Sequence, residues 1–213
     1  MSERPVWIYP AIALAAAGAI AAGLLASLPS GGQPGPSAVR VSGEAQVGGP
    51  FTLVNHHGET VTDADFRGRA MLIYFGFTYC PDVCPMSLQI MAAALERLPE
   101  RQREMFQPLL ISVDPERDTP EALAEYVQAP AFPENLVGLT GSSEQIREAA
   151  QAYRVYYRRV DDDGTLADYT MDHTSIIYLM DAEGRFVDVF PHAAEPERIA
   201  ARLQHFLQET GAS

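Results

Sequence analysis

Apolar residues fall along this chain in three kinds of run, and each kind predicts a different element. The first is residues 6–28, VWIYPAIALAAAGAIAAGLLASL, which carries no charge. A helix of roughly 20 such residues spans a bilayer core, so residues 1–28 are expected to form an N-terminal membrane anchor. Trp7 and Tyr9 stand at one end, where amphipathic rings favour the membrane interface. Arg4 and the terminal amine, partly offset by Glu3, bias the N-terminus toward the cytoplasm and the remainder to the far side. A cleaved secretory signal is the rival reading, but its apolar region runs to only about 7–15 residues. Residues 29–42, beginning Pro-Ser-Gly-Gly-Gln-Pro-Gly-Pro-Ser, read as a flexible tether.

The second kind is short and almost unbroken: residues 70–77 (AMLIYFGF), 107–113 (QPLLISV) and 175–180 (SIIYLM). Strands buried on both faces have this pattern. The third kind is periodic. Leu88, Met91, Leu95 and Leu98 make one helical stripe, and Pro85 suits the first helical position. Further helices are expected from Thr119-Pro120, over 142–153 and over 195–207. Shorter strands are expected at 51–54, 59–62, 136–139 and 185–190, with a hairpin of 155–160 and 166–170 around Asp161-Asp162-Asp163-Gly164. This order predicts an α/β domain over residues 43–213: a central, mostly parallel sheet with flanking helices and antiparallel additions at its end.

Composition narrows the function. A hydrophobic fraction of 47% is ample for a packed core. The net charge of −13 repels phosphate backbones and argues against nucleic acid as a partner. The chain has two cysteines, Cys80 and Cys84, which is no disulfide scaffold.

Those cysteines follow a buried strand and precede a helix, where unpaired N–H groups and the helix dipole stabilise thiolate, the nucleophilic and metal-binding form. Their spacing allows chelation of one ion, closure of a disulfide, or two merely buried thiols. Soft thiolates and imidazole suit copper, whereas structural zinc takes four protein ligands; this favours copper and leaves zinc open. Of the five histidines, His56 and His57 fall in a turn, His205 falls in the last helix, and His192 near a strand end remains a further candidate. His173, just before a buried strand, is the preferred third ligand. Asp82 and Asp172 flank the ligands and either orient them or stay solvated. Asp114 reads as a turn cap, and Tyr79 either shields a metal or packs.

Three segments together resemble the Sco/SenC family: Phe77-Thr78-Tyr79-Cys80-Pro81-Asp82-Val83-Cys84-Pro85, Ser112-Val113-Asp114-Pro115-Glu116-Arg117-Asp118-Thr119-Pro120, and Asp172-His173-Thr174 before an apolar strand. The resemblance covers about residues 43–207. It implies a thioredoxin-like fold and one copper ion, Cu(I) or Cu(II), held by Cys80, Cys84 and His173. It further implies a metallochaperone for the dinuclear copper centre of cytochrome c oxidase subunit II, with another periplasmic copper carrier as a further partner. The expected location is the bacterial inner membrane, single-pass, with the domain in the periplasm; the alternative is the mitochondrial inner membrane facing the intermembrane space. Two other roles use the same residues. One is a thiol–disulfide oxidoreductase in which Cys80 attacks and Cys84 resolves, keeping the acceptor's cysteines reduced. The other is a redox or copper sensor.

Overall fold

Burial of three long apolar strands sets the architecture. The computed structural model describes residues 47–161 and 168–211. β1 (Thr52–Asn55) and β2 (Thr60–Thr62) form a hairpin, followed by a 3-10 turn at Asp63–Phe66. Next come β3 (Ala70–Gly76), α1 (Val83–Glu96), the short α2 (Glu100–Arg103) and β4 (Phe106–Ser112). Then follow α3 (Pro120–Tyr126), β5 (Val137–Thr140) and α4 (Ser143–Ala152). The chain continues through β6 (Tyr157–Asp161), β7 (Tyr169–His173), β8 (Ile176–Met180), β9 (Phe186–Pro191) and α5 (Pro196–Glu209).

Local chemistry explains several of these boundaries. The Thr119 hydroxyl accepts from the N–H of Ala122 and Pro120 opens α3, where its missing N–H costs nothing. Ser142 and Gln145 form a reciprocal capping box that starts α4. Every residue of β3 and of β4 is buried, as their apolar runs predict. They form the centre of a seven-stranded sheet in the order β2-β1-β5-β4-β3-β8-β9. β6 and β7 make a separate two-stranded ribbon.

The fold is α/β and thioredoxin-like, but the sheet is mixed and not mostly parallel. Only β3–β4 and β4–β5 pair parallel; β1–β2, β1–β5, β3–β8 and β8–β9 are antiparallel. Continuous apolar character reports burial on both faces, not strand direction. The short turn between β8 and β9 permits only an antiparallel pair, because a parallel return needs a crossover of a dozen residues or more.

The membrane expectation is corrected as well. Among the described residues, no helix is long and apolar enough to cross a membrane. The longest have 14 residues, about 21 Å at 1.5 Å per residue, against a hydrocarbon core of about 30 Å. Residues 6–28 lie outside the described residues. The anchor, the membrane as a partner and the single-pass location drawn from them are therefore withdrawn.

Candidate metal centre

The site forms where the carboxyl end of β3 meets the start of α1 and the end of β7. Sequence spacing suggests Pro85 as the first helical residue. The helix instead begins two residues earlier, at Val83, with Asp82 as its N-cap. Cys84 thereby lies in the first turn, and its N–H donates to the Cys80 sulfur at 3.3 Å. A sulfur thus satisfies one of the open N–H groups that every helix start leaves.

Cys84 is fully buried and Cys80 half-buried, and the two are not bonded to each other. Cys84 Sγ lies 3.4 Å from His173 Nε2. The three potential ligand atoms of Cys80, Cys84 and His173 all fall within 4.8 Å of one another. A metal with bonds of about 2.0–2.3 Å spans ligand atoms up to about 4.6 Å apart, so the trio fits one ion with little movement. His173 Nδ1 lies 3.2 Å from the Thr174 carbonyl oxygen. A proton on Nδ1 donated to that oxygen leaves the Nε2 lone pair facing the sulfurs. The imidazole is wedged edge-on against Phe77 at 5.7 Å and Tyr74 at 6.1 Å between ring centroids.

Two residues not singled out in the sequence shape the pocket from inside β3. The Tyr74 hydroxyl reaches Cys84 Sγ at 3.8 Å. Gly76 leaves the room Cys84 occupies: a Cβ there would fall 2.8 Å from Tyr74 Cε1 and 3.0 Å from the Cys84 sulfur. An apolar run carries no signal for either role.

The cysteines differ electrostatically. A hydrogen bond from Cys84 holds the Cys80 thiol well below its ordinary range, assisted by His173 and the N–H groups of Cys84 and Asp82. Cys84 is pushed up by its hydrogen bond to Cys80, by burial and by the Cys80 charge. The pair therefore shares one proton, carried by Cys84. In the metal-free, reduced protein, iodoacetamide is expected to modify one thiol per chain, at Cys80, at a rate nearly flat from pH 8 to 6. An ordinary thiol slows about 80-fold over that interval. Peptide mapping with stopped-flow alkylation checks this, and a steep decline below pH 8 would show that Cys80 is not depressed.

The other candidates go elsewhere. His56 accepts from the Gly138 N–H at 3.2 Å and lies tilted against the His57 ring, and His205 pairs with Glu209. The His192 N–H donates to the Ser175 carbonyl, and its ring is not part of the cluster. Asp82 is exposed and makes no side-chain cap. Asp172 alternates with His173 along β7 and is exposed, 3.6 Å from Arg158. Asp114 does more than cap a turn: buried, it accepts from Arg117 Nε at 2.5 Å and from the Tyr169 hydroxyl at 2.8 Å. Tyr79 is 57% exposed, so it does not pack in the core.

The model of the family described as SCO1/SenC matches residues 39–208. The chain belongs to the SCO1/SenC family. The human mitochondrial SCO1 homolog is 46% identical over 162 residues, 76% of this chain and 53% of that protein. SenC of Rhodobacter capsulatus is 44% identical over 168 residues, covering 78% of this chain and 73% of its own length. The match to protein sco1 of Schizosaccharomyces pombe spans 61% of that relative's length. Among solved structures, Bradyrhizobium japonicum ScoI with copper bound superposes with a TM-score of 0.68 at 43% identity, over 76% of this chain and 99% of that one. Yeast Sco1 with copper bound gives 0.67 at 33% identity, over 79% and 90%.

Proposed function

We propose that this SCO1/SenC chain is a copper chaperone that carries one copper ion on Cys80, Cys84 and His173. The observation that supports it most directly is the convergence of two sulfurs and one imidazole nitrogen within 4.8 Å. Two soft thiolates with one imidazole suit copper, and a third cysteine or second histidine that would complete a four-ligand structural zinc site is not in the cluster. Kinship with ScoI and Sco1 proteins solved with copper bound supports the same ion.

The burial pattern suits handover. Cys84 is sealed inside, while Cys80 and His173 are half-exposed. An acceptor thiolate or imidazole approaches from the Cys80 and His173 side and replaces those ligands first, with Cys84 the last to let go. The acceptor we assign is the dinuclear copper centre of cytochrome c oxidase subunit II. Thiol–disulfide exchange is a second reading, favoured by the depressed Cys80 thiol on the open side with the buried Cys84 beside it.

Titration of the reduced chain with Cu(I) is expected to saturate near one ion per chain. The loaded chain is then expected to metallate the copper-free soluble domain of subunit II. Binding without transfer would remove the chaperone role. Reduction of an oxidised acceptor by the metal-free chain, with no transfer, would favour the exchange reading.

A further inference from the structure

We propose that Arg117 is a positioning residue that sets the distance between the cysteine loop and the histidine ribbon; the inference rests on the trio above being the copper site. The β6–β7 ribbon that carries His173 is not paired to the main sheet. Beyond the short link through Thr174 and Ser175 to β8, side chains set its position against the cysteine loop, and Arg117 touches both. Its Nη1 donates to the Tyr169 carbonyl at 3.0 Å, and its guanidinium carbon lies 3.7 Å from the Tyr169 ring centroid. On the other segment, that carbon lies 4.6 Å from the ring of Tyr79, the neighbour of Cys80, and 5.9 Å from Phe77, whose ring packs on His173.

Tyr169 and His173 are four residues apart on one strand and so share a face. Seating Tyr169 thus fixes where His173 arrives. Tyr169 is seated further by its hydroxyl on Asp114, at 2.8 Å, and by Arg159 at 3.7 Å from its ring. Asp114 in turn receives Arg117 Nε at 2.5 Å, with the arginine side chain only 15% exposed. A planar cation with several fixed donors can stack on rings and donate to a carboxylate and a carbonyl at once; a lysine ammonium cannot.

The test is Arg117→Lys in the full chain, read two ways. Lysine still neutralises Asp114, so a merely structural role is repaired and the melting temperature stays near that of the parent. If Arg117 positions the ribbon, the metal-free variant loses the through-space NMR contacts between the His173 and Phe77 rings. Cu(I) then passes to an excess of chelator about five- to tenfold faster, the size expected from losing two cation–π contacts. Tyr79→Leu, at an exposed position, keeps Arg117 on Asp114 and is expected to weaken the same contacts to a smaller degree. It decides the question if Arg117→Lys fails to fold. Unchanged His173–Phe77 contacts in a folded Arg117→Lys chain, or in Tyr79→Leu where that chain does not fold, overturn the proposal. Lost contacts with an unchanged copper release rate leave Arg117 as the positioning residue and count instead against His173 as a ligand.

Discussion

His173→Ala is expected to weaken copper binding by at least about 100-fold, near 2.7 kcal/mol, because loss of an outer partner alone costs about 10–100-fold. The imidazole is the sole nitrogen donor of the cluster, and it sits 3.4 Å from the buried Cys84 sulfur. Cys80 is expected to stay reactive in the same variant. The largest influence on its thiol is the hydrogen bond from Cys84, with the Cys84 N–H also in place, and neither involves the ring. Competition with a Cu(I) chelator, run beside alkylation of the metal-free chain, separates the two effects. Equal copper affinity in parent and variant would take His173 out of the ligand set. A parallel loss of Cys80 reactivity would mean that the imidazole, not Cys84, governs the thiol.

The two cysteines stood out as one candidate site because thiols are scarce in the chain and chemically distinctive, whereas His173, one of five histidines, was preferred for its place at a strand end and for the Sco/SenC resemblance. Only two thiols exist in the chain, and they stand where a buried strand hands over to a helix. The supports of the site carry no such mark. Arg117 and Tyr169 are 52 positions apart, and Thr78 and Asp118 are 40 apart. Thr78, Arg117 and Asp118 fall in the family signatures and Tyr169 in the expected hairpin, but the sequence assigned none of them a contact. Gly76 was hidden in an apolar run that reads equally well with alanine there; only the nearness of the Tyr74 ring and the Cys84 sulfur shows why a side chain is excluded. The sheet as a whole was read as mostly parallel for a related reason, which β8 illustrates. Its residues report burial, while direction is set by which strand lies beside it, and here that is β3 in antiparallel register. The helix start shifted from Pro85 to Val83 because proline is tolerated through the first turn and does not mark a unique position.

Asp118→Ala is expected to lower the stability of the metal-free chain by about 3 kcal/mol, since each stranded buried donor costs about 1–3 kcal/mol. Asp118 has no exposed surface. Its carboxylate accepts from the Thr78 hydroxyl at 2.6 Å, from the Thr78 N–H at 3.2 Å and from the Ser112 hydroxyl at 2.6 Å. It thereby fastens the start of the cysteine loop to the end of β4. Burial pushes this carboxyl above its ordinary range, against the opposing hydrogen bonds from Ser112 and Thr78. The raised value fixes the sign of the pH dependence. The folded chain holds the proton more tightly than the unfolded one, so that contribution is complete below the ordinary aspartate range. It is lost as pH rises through the folded value. Asp118→Asn keeps an acceptor for Thr78 without titrating, so it is expected to cost less than alanine, and its gap from the parent is expected to narrow as pH rises from about 3 toward neutrality. Denaturant melts across that interval measure both variants. An Asn gap that widens with pH would mean that the hydrogen bonds outweigh burial and that Asp118 is held ionised as an anchor for the cysteine loop.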